Sequence, residues 1–217
     1  MERTIRVTGK GKISVSPDMI RLNINAEGVF KEYAETISKS SEETSLIREA
    51  ISKAGLDPKD LKTSHFGVDT EYENYRDKRD NWKRKFVGYK YQHRLNIKFA
   101  NDNEILGRVL YQLANCPVNV EFSIEHTVKD TEAVKNELLG KAVEDSKAKA
   151  EVLSKAAGVK LDDIVNIDYS WGELEIYSRP MQYGGAVLAD CLDACEIDIE
   201  AEDIDVQDTV TVVWRIL

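Results

Sequence analysis

The chain has 217 residues, 42% of them hydrophobic, and its 30 basic and 39 acidic side chains give a net charge of −9. This acidic balance argues against a general nucleic-acid binder, so no nucleic-acid partner is expected, and no apolar run approaches the roughly 20 residues that span a bilayer. The four scattered prolines and the lack of a Ser/Gly-rich linker point to a single domain over residues 1–217 with a sizeable core.

The opening segment MERTIRVTGKGK has no apolar core of the secretory kind and enters a strand almost at once. That reads as a cytoplasmic protein, or as an exported one whose leader has been removed. Gly9 and Gly11 raise the possibility of a phosphate-cradling loop. A dinucleotide loop needs a third glycine where Ser14 stands, and a Walker loop needs a Gly-Lys-Ser/Thr that is missing. The residues beyond Gly11 alternate instead. Ile20, Leu22, Ile24 and Ala26 share one face, and Arg21, Asn23, Asn25 and Glu27 the other, which is the period of a strand and not of a helix that would hold a phosphate. The glycines are therefore expected between short β segments, where a positive φ or a bulge favours a residue without a side chain. Pro17-Asp18 then turns the chain into the long strand.

A helix is expected from about Lys31 to Ala54, with Ile37, Thr44, Ile47, Ile51 and Ala54 at three- and four-residue steps. Gly55 and Pro58 end it, and Ser38, Ser40, Ser41 and Ser45 make its packing face small. Two extended runs then flank a charged tip at 76–85, which reads as a long antiparallel hairpin. Its second arm places Tyr89, Tyr91, His93, Leu95, Ile97 and Phe99 on one face. Asn101-Asp102 caps a short helix carrying Ile105, Leu106, Val109, Leu110 and Leu113. Val118, Val120, Phe122 and Ile124 mark a further strand. The strongest helix runs from about Thr131 to Ala157, with Leu139, Ala142, Val143, Ser146, Ala150, Leu153 and Ala157 as its stripe and Gly158 as its stop. A strand over 163–171, a glycine-containing loop and a terminal strand close the chain, the last with Ile204, Val206, Val210, Val212, Trp214 and Ile216 on one face. The fold class is α+β: an antiparallel-rich sheet with amphipathic helices packed on one side and a long protruding β-hairpin.

Five stretches, VTGKGKISVSPDM, ISKAGLDPKDLKTSHFGV, VGYKYQHRLNIKF, AVEDSKAKAEVLSKAAGVKL and the terminal valine-rich strand, occur in an order and spacing that resembles the SIMPL domain family, also called DUF541. The resemblance covers essentially the whole chain. It implies an α+β protein, and at least some members build ring- or channel-like oligomers. Bacterial members include a periplasmic antigen and are tied loosely to stress tolerance; a mammalian member is tied to signalling through a kinase. The resemblance assigns no catalytic residue, because none is established for the family. Most bacterial members look exported, and this sequence, read as showing no leader, is expected to depart from them in that respect.

Reactive groups are sparse. Cys116, Cys191 and Cys195 are an odd set, read as ordinary thiols, and His65, His93 and His126 fall in separate segments without zinc spacing. No metal or cofactor is expected. No Ser-His-Asp pattern is readable, and His93, between Gln92 and Arg94 in a strand, reads as a packed histidine more than as a base. The acidic run Asp190, Asp193, Glu196, Asp198, Glu200, Glu202, Asp203, Asp205 and Asp208 lacks the central glycine of a calcium loop. It reads as a solvated edge whose charges deter pairing.

The hairpin tip has the opposite sign: Arg76, Lys78, Arg79, Lys83, Arg84 and Lys85 surround Trp82 and outnumber Asp77 and Asp80. Such a mixture stacks on single strands in some proteins, but the net charge and the missing RNA motif oppose that here. A head-to-tail contact between copies, with this tip against the acidic segment around Asp198, Glu200 and Glu202, would close into a ring, with charge setting the register. A mobile, solvated tip is the plainer reading. The expected function is therefore non-enzymatic, by self-association as a homo-oligomer or by partner binding. The alternatives are a small-ligand protein or weakly specialised enzyme, using a pocket of Tyr72, Tyr89 and Tyr91 or the loop from Tyr177 to Gly185, and a signalling adaptor by family analogy.

Overall fold

A computed structural model describes residues 3–169, 174–183 and 199–217. In chain order the elements are β1 (Thr4–Val15), β2 (Met19–Phe30), α1 (Tyr33–Lys53), a single 3-10 turn at Pro58–Asp60, β3 (Lys62–Arg76), β4 (Trp82–Ala100), α2 (Asn103–Ala114), β5 (Val120–Thr127), α3 (Thr131–Ala157), β6 (Leu161–Asp168), β7 (Met181–Tyr183) and β8 (Ile204–Ile216). The strands pair antiparallel, so the fold is α+β. The chain divides into two compact units, one of residues 1–18, 127–178 and 201–217, the other of residues 19–126 and 179–200.

In the first unit the sheet order is β1-β8-β6, and α3 packs on the face that carries Val7, Val210, Val212 and Trp214. The helix buries Leu138, Ala142, Ser146, Ala150 and Ser154, one residue every four. That row is narrower and smaller than the stripe expected from the sequence, and Leu153 is left exposed. The cause lies in β1. It is one unbroken strand in continuous register with β8, and the positive-φ glycines are Gly55 and Gly158, so Gly9 and Gly11 are needed neither for a bulge nor for a left-handed backbone. A β-carbon at Gly9 would lie 1.9 Å from the Ala142 carbonyl oxygen, and one at Gly11 would lie 2.1 Å from that of Leu138. The helix backbone rests directly on the strand, and only small residues fit at the contact. The same closeness lets α3 cover the outer edge of β1: the Lys10 N–H donates to Asp145 at 2.6 Å, and the Lys149 ammonium donates to the Thr8 carbonyl at 3.3 Å. At the opposite edge β6 carries two register irregularities. Both devices blunt strand edges against unwanted pairing.

In the second unit the sheet order is β3-β4-β2-β5-β7. Ile20, Leu22, Ile24 and Ala26 of β2 and Tyr91, Leu95, Ile97 and Phe99 of β4 form one core with Ile47, Ala50 and Ile51 of α1 and Leu106, Val109, Leu110 and Leu113 of α2. Burial of each such aliphatic side chain is worth about 1.5–3 kcal/mol gross. Asp102 caps α2 by accepting from the Glu104 and Ile105 amides. The buried face of α1 includes Thr36 and Ser40 rather than Ile37, and Ser38, Ser41 and Ser45 are exposed. Thr36 tolerates burial because its hydroxyl donates to the Glu32 carbonyl at 2.9 Å.

β3 and β4 form an antiparallel hairpin, and its register has a consequence for the site. Glu71 faces Gly88 but Tyr72 faces Phe86, so Val87 is an extra residue in β4. A bulge of this kind changes which side chains share a face.

Candidate interaction surface

Before the bulge, the helix-covered face of the hairpin pairs Phe66 with His93, Val68 with Tyr91 and Thr70 with Tyr89. After it, the same face continues through Tyr72–Phe86, Asn74–Arg84 and Arg76–Trp82. Without the extra residue Phe86, Arg84 and Trp82 would point to the opposite side. α1 begins at Tyr33, whose ring meets Tyr89 edge-on at 5.5 Å. The face beyond that point carries no helix among the described residues.

The result is a row of four rings in successive edge-to-face contact. Tyr33 touches Tyr89, Tyr89 touches Phe86 at 5.4 Å, and Phe86 touches Tyr72 at 5.7 Å. The Arg84 guanidinium lies 4.5 Å over Tyr72, and that of Arg76 lies 4.8 Å over Trp82. Tyr33, Tyr72 and Phe86 are all exposed, and Trp82 is 67% exposed. Sheet faces with this content are ordinarily covered, which makes this open row a candidate interaction surface.

The end of the hairpin is held by one carboxylate. Asp77 accepts from the Arg79 amide at 2.8 Å and the Asn81 amide at 3.1 Å, and it forms an ion pair with Lys83 at 3.2 Å. Those backbone donors, Asn81 first and then Arg79, hold its carboxyl below the usual range. Asp80 adopts a left-handed φ of 60° and pairs with Arg76 at 2.8 Å. Of the sequence candidates, Arg76, Trp82 and Arg84 thus share the face of the aromatic row, Lys83 pairs with Asp77 at the turn, and Lys78, Arg79 and Lys85 are exposed. Glu200 and Glu202 are exposed; Asp198 lies outside the described residues, as do Cys191, Cys195 and the end of the loop from Tyr177 to Gly185. Sequence reasoning missed Tyr33 and Phe86 as surface residues. The available signal was the break in alternation at Phe86-Val87-Gly88.

Below the surface lies a buried polar brace. Tyr91, with a fully buried ring, donates its hydroxyl to Glu43 of α1. This leaves Tyr72 and Tyr89 on the open row and Tyr91 in the core, so the three do not form the pocket expected of them. His93 bonds Thr44 of α1 through Nδ1 and Thr63 of β3 through Nε2, both at 2.9 Å. The Thr44 hydroxyl already donates to the Ser40 carbonyl, so it accepts from Nδ1–H and fixes the neutral tautomer. Burial, then the nearby Arg48, lowers the His93 pKa. This arrangement ties β4 to α1 and to β3. Among the described residues no three His, Cys, Asp or Glu side chains gather as metal ligands would.

The family model described as SIMPL, protein of unknown function (DUF541), matches residues 5–214. The chain belongs to the SIMPL family. Its relatives include the 26 kDa periplasmic immunogenic proteins of Brucella melitensis and Brucella abortus, each 30% identical over 164 residues. That match covers 75% of this SIMPL chain and 65% of each Brucella protein. The uncharacterized protein YggE of Edwardsiella ictaluri is 21% identical over 209 residues, or 96% of this chain and 85% of its own. Among the described residues of the SIMPL chain no helix is long and apolar enough to cross a membrane.

Proposed function

We propose that this SIMPL protein works without catalysing a reaction, by self-association through the end of the β3–β4 hairpin. One observation carries the reading: six cations and an exposed Trp82 lie within ten residues of a chain whose net charge is −9. Opposite charge on another copy is available at Glu200 and Glu202, with Asp198 beside them in sequence. A tip meeting a different surface of the next copy is a heterologous contact, and such contacts close into rings. The family model spans both compact units, which supports treating residues 1–217 as a single functional module. The periplasmic names of the Brucella relatives favour an exported location over a cytoplasmic one.

Light scattering at about 50 mM and about 500 mM salt tests the reading, since screening weakens contacts between exposed charges. Assemblies at low salt that shrink at high salt are expected. A strict monomer under both conditions would remove the proposal.

A further inference from the structure

We propose that the aromatic row Tyr33–Tyr89–Phe86–Tyr72, together with Arg84, is a docking face for the acidic segment ahead of β8 in a second copy of this chain. The inference rests on the self-association reading and gives it a surface and an occupant. The bulge at Val87 turns Phe86, Arg84 and Trp82 onto the helix-covered face, and α1 starts at Tyr33, leaving that continuation bare among the described residues. Gly88 fixes this geometry. A β-carbon there would lie 2.2 Å from the Phe30 carbonyl oxygen, so the residue next to the bulge has to be glycine. Bulges commonly re-aim side chains at functional sites.

The composition of the row, Tyr and Phe with Arg and a nearby Trp, is that of interface anchors, which fill with partner side chains at the centre and leave charges at the rim. The occupant is set by charge. Arg84 lies over Tyr72 and Arg76 over Trp82 on this face, while Lys83 and Lys85 alternate onto the opposite one; the cations beside the row are therefore guanidinium groups, and an extended segment rich in carboxylates is complementary. Residues 199–203 of this chain lie outside regular secondary structure immediately before β8, with Glu200, Glu202 and Asp203 exposed. Heterologous docking of that segment leaves each copy with one row and one segment in use, the condition for closure. Rim charges of this kind set register and association rate.

The test uses the full chain with Cys116, Cys191 and Cys195 replaced by serine. One preparation carries Phe86→Cys and another Glu202→Cys; they are mixed and oxidised at low salt. A chain-to-chain disulfide between positions 86 and 202 is expected, because a bond forms only where α-carbons approach to about 4.4–6.8 Å. In parallel, Arg84→Glu weakens assembly by about tenfold or more, and Arg84→Glu with Glu202→Arg in one chain restores it. Neither position is buried, so both variants should fold. Assembly without the 86–202 disulfide, or with Arg84→Glu assembling as the parent does, would overturn the docking face and leave self-association standing. A monomer in every condition would remove both. A chain that stays monomeric but sediments with anionic phospholipid vesicles would overturn the second-copy occupant in favour of a lipid surface.

Discussion

Gly9 of β1 lies directly beneath Ala142 of α3, so close that a single added methyl would meet the Ala142 carbonyl oxygen at 1.9 Å. Backbone cannot yield as a flexible side chain does. Gly9→Ala should therefore lower stability by about 3 kcal/mol, the upper part of the range for overpacking. Gly140, on the same helix with nothing within 4 Å of its would-be β-carbon, is the matched control. Gly140→Ala should be neutral or raise stability by up to about 1 kcal/mol. Urea midpoints decide the matter, and equal effects at the two sites would contradict the close contact.

Two buried histidines should make the fold acid-labile. Burial lowers the pKa of both His93 and His126, with Arg48 adding to the effect at His93. Their contribution is complete above the unfolded value of about 6.5, where both states are neutral. As pH falls below it, the unfolded chain binds protons that the folded one resists, so stability drops until the lowered folded values are passed. The slope reaches at most about 1.4 kcal/mol per pH unit for each histidine. Denaturant midpoints between about pH 7.5 and 5 should fall, and His93→Gln should flatten the fall. A profile that His93→Gln leaves unchanged would exclude His93 as a contributor.

The Tyr91–Glu43 bond should show itself at the alkaline end. Burial first, and then the bond to Glu43, push the Tyr91 pKa upward. A raised value means stability that is present below the unfolded pKa of about 10 and lost as pH climbs past it. Tyr91→Phe should cost about 1–2 kcal/mol at neutral pH, because Glu43 loses its donor, and should remove part of the alkaline decline. Thermal melts at about pH 7 and 10.5 provide the comparison. A variant as stable as the parent at neutral pH would mean that water replaces the lost donor at no cost.

Asp77 orders the hairpin end without supporting the core. Asp77→Ala removes the acceptor for the Arg79 and Asn81 amides, an exposed local bond whose loss should change global stability by no more than about 0.5 kcal/mol. Amide exchange at Arg79 and Asn81 should accelerate, and salt-sensitive assembly should weaken along with it. Unchanged exchange at both amides would show that the turn is held by the backbone alone.

Elements with a local signal were legible in the residues alone. α3 runs over Thr131–Ala157, where its caps and periodicity place it. β4 buries the odd-numbered Tyr91, His93, Leu95, Ile97 and Phe99 that its alternation marks. Asp102 and Gly158 sit at helix ends as capping residues do. Each of these features depends on side chains within a few residues of one another, and the hydrogen bonds they choose are settled locally.

Contacts between distant segments settled the remainder. Gly9 and Gly11 look like turn or bulge glycines until α3, some 130 residues later in the chain, is laid against them. The buried row of α3 takes in Leu138 and Ser154 and leaves Leu153 exposed, while Leu139 and Val143 pack at its margin, for the same reason: how closely two backbones approach is set by the partner, not by the helix. The open row at Tyr72 and Phe86 depends on a bulge at Val87, where β4 registers against β3, and on where α1 begins. Periodicity in one segment reports which side chains share a face, but the register and distance of a neighbouring element determine what that face meets.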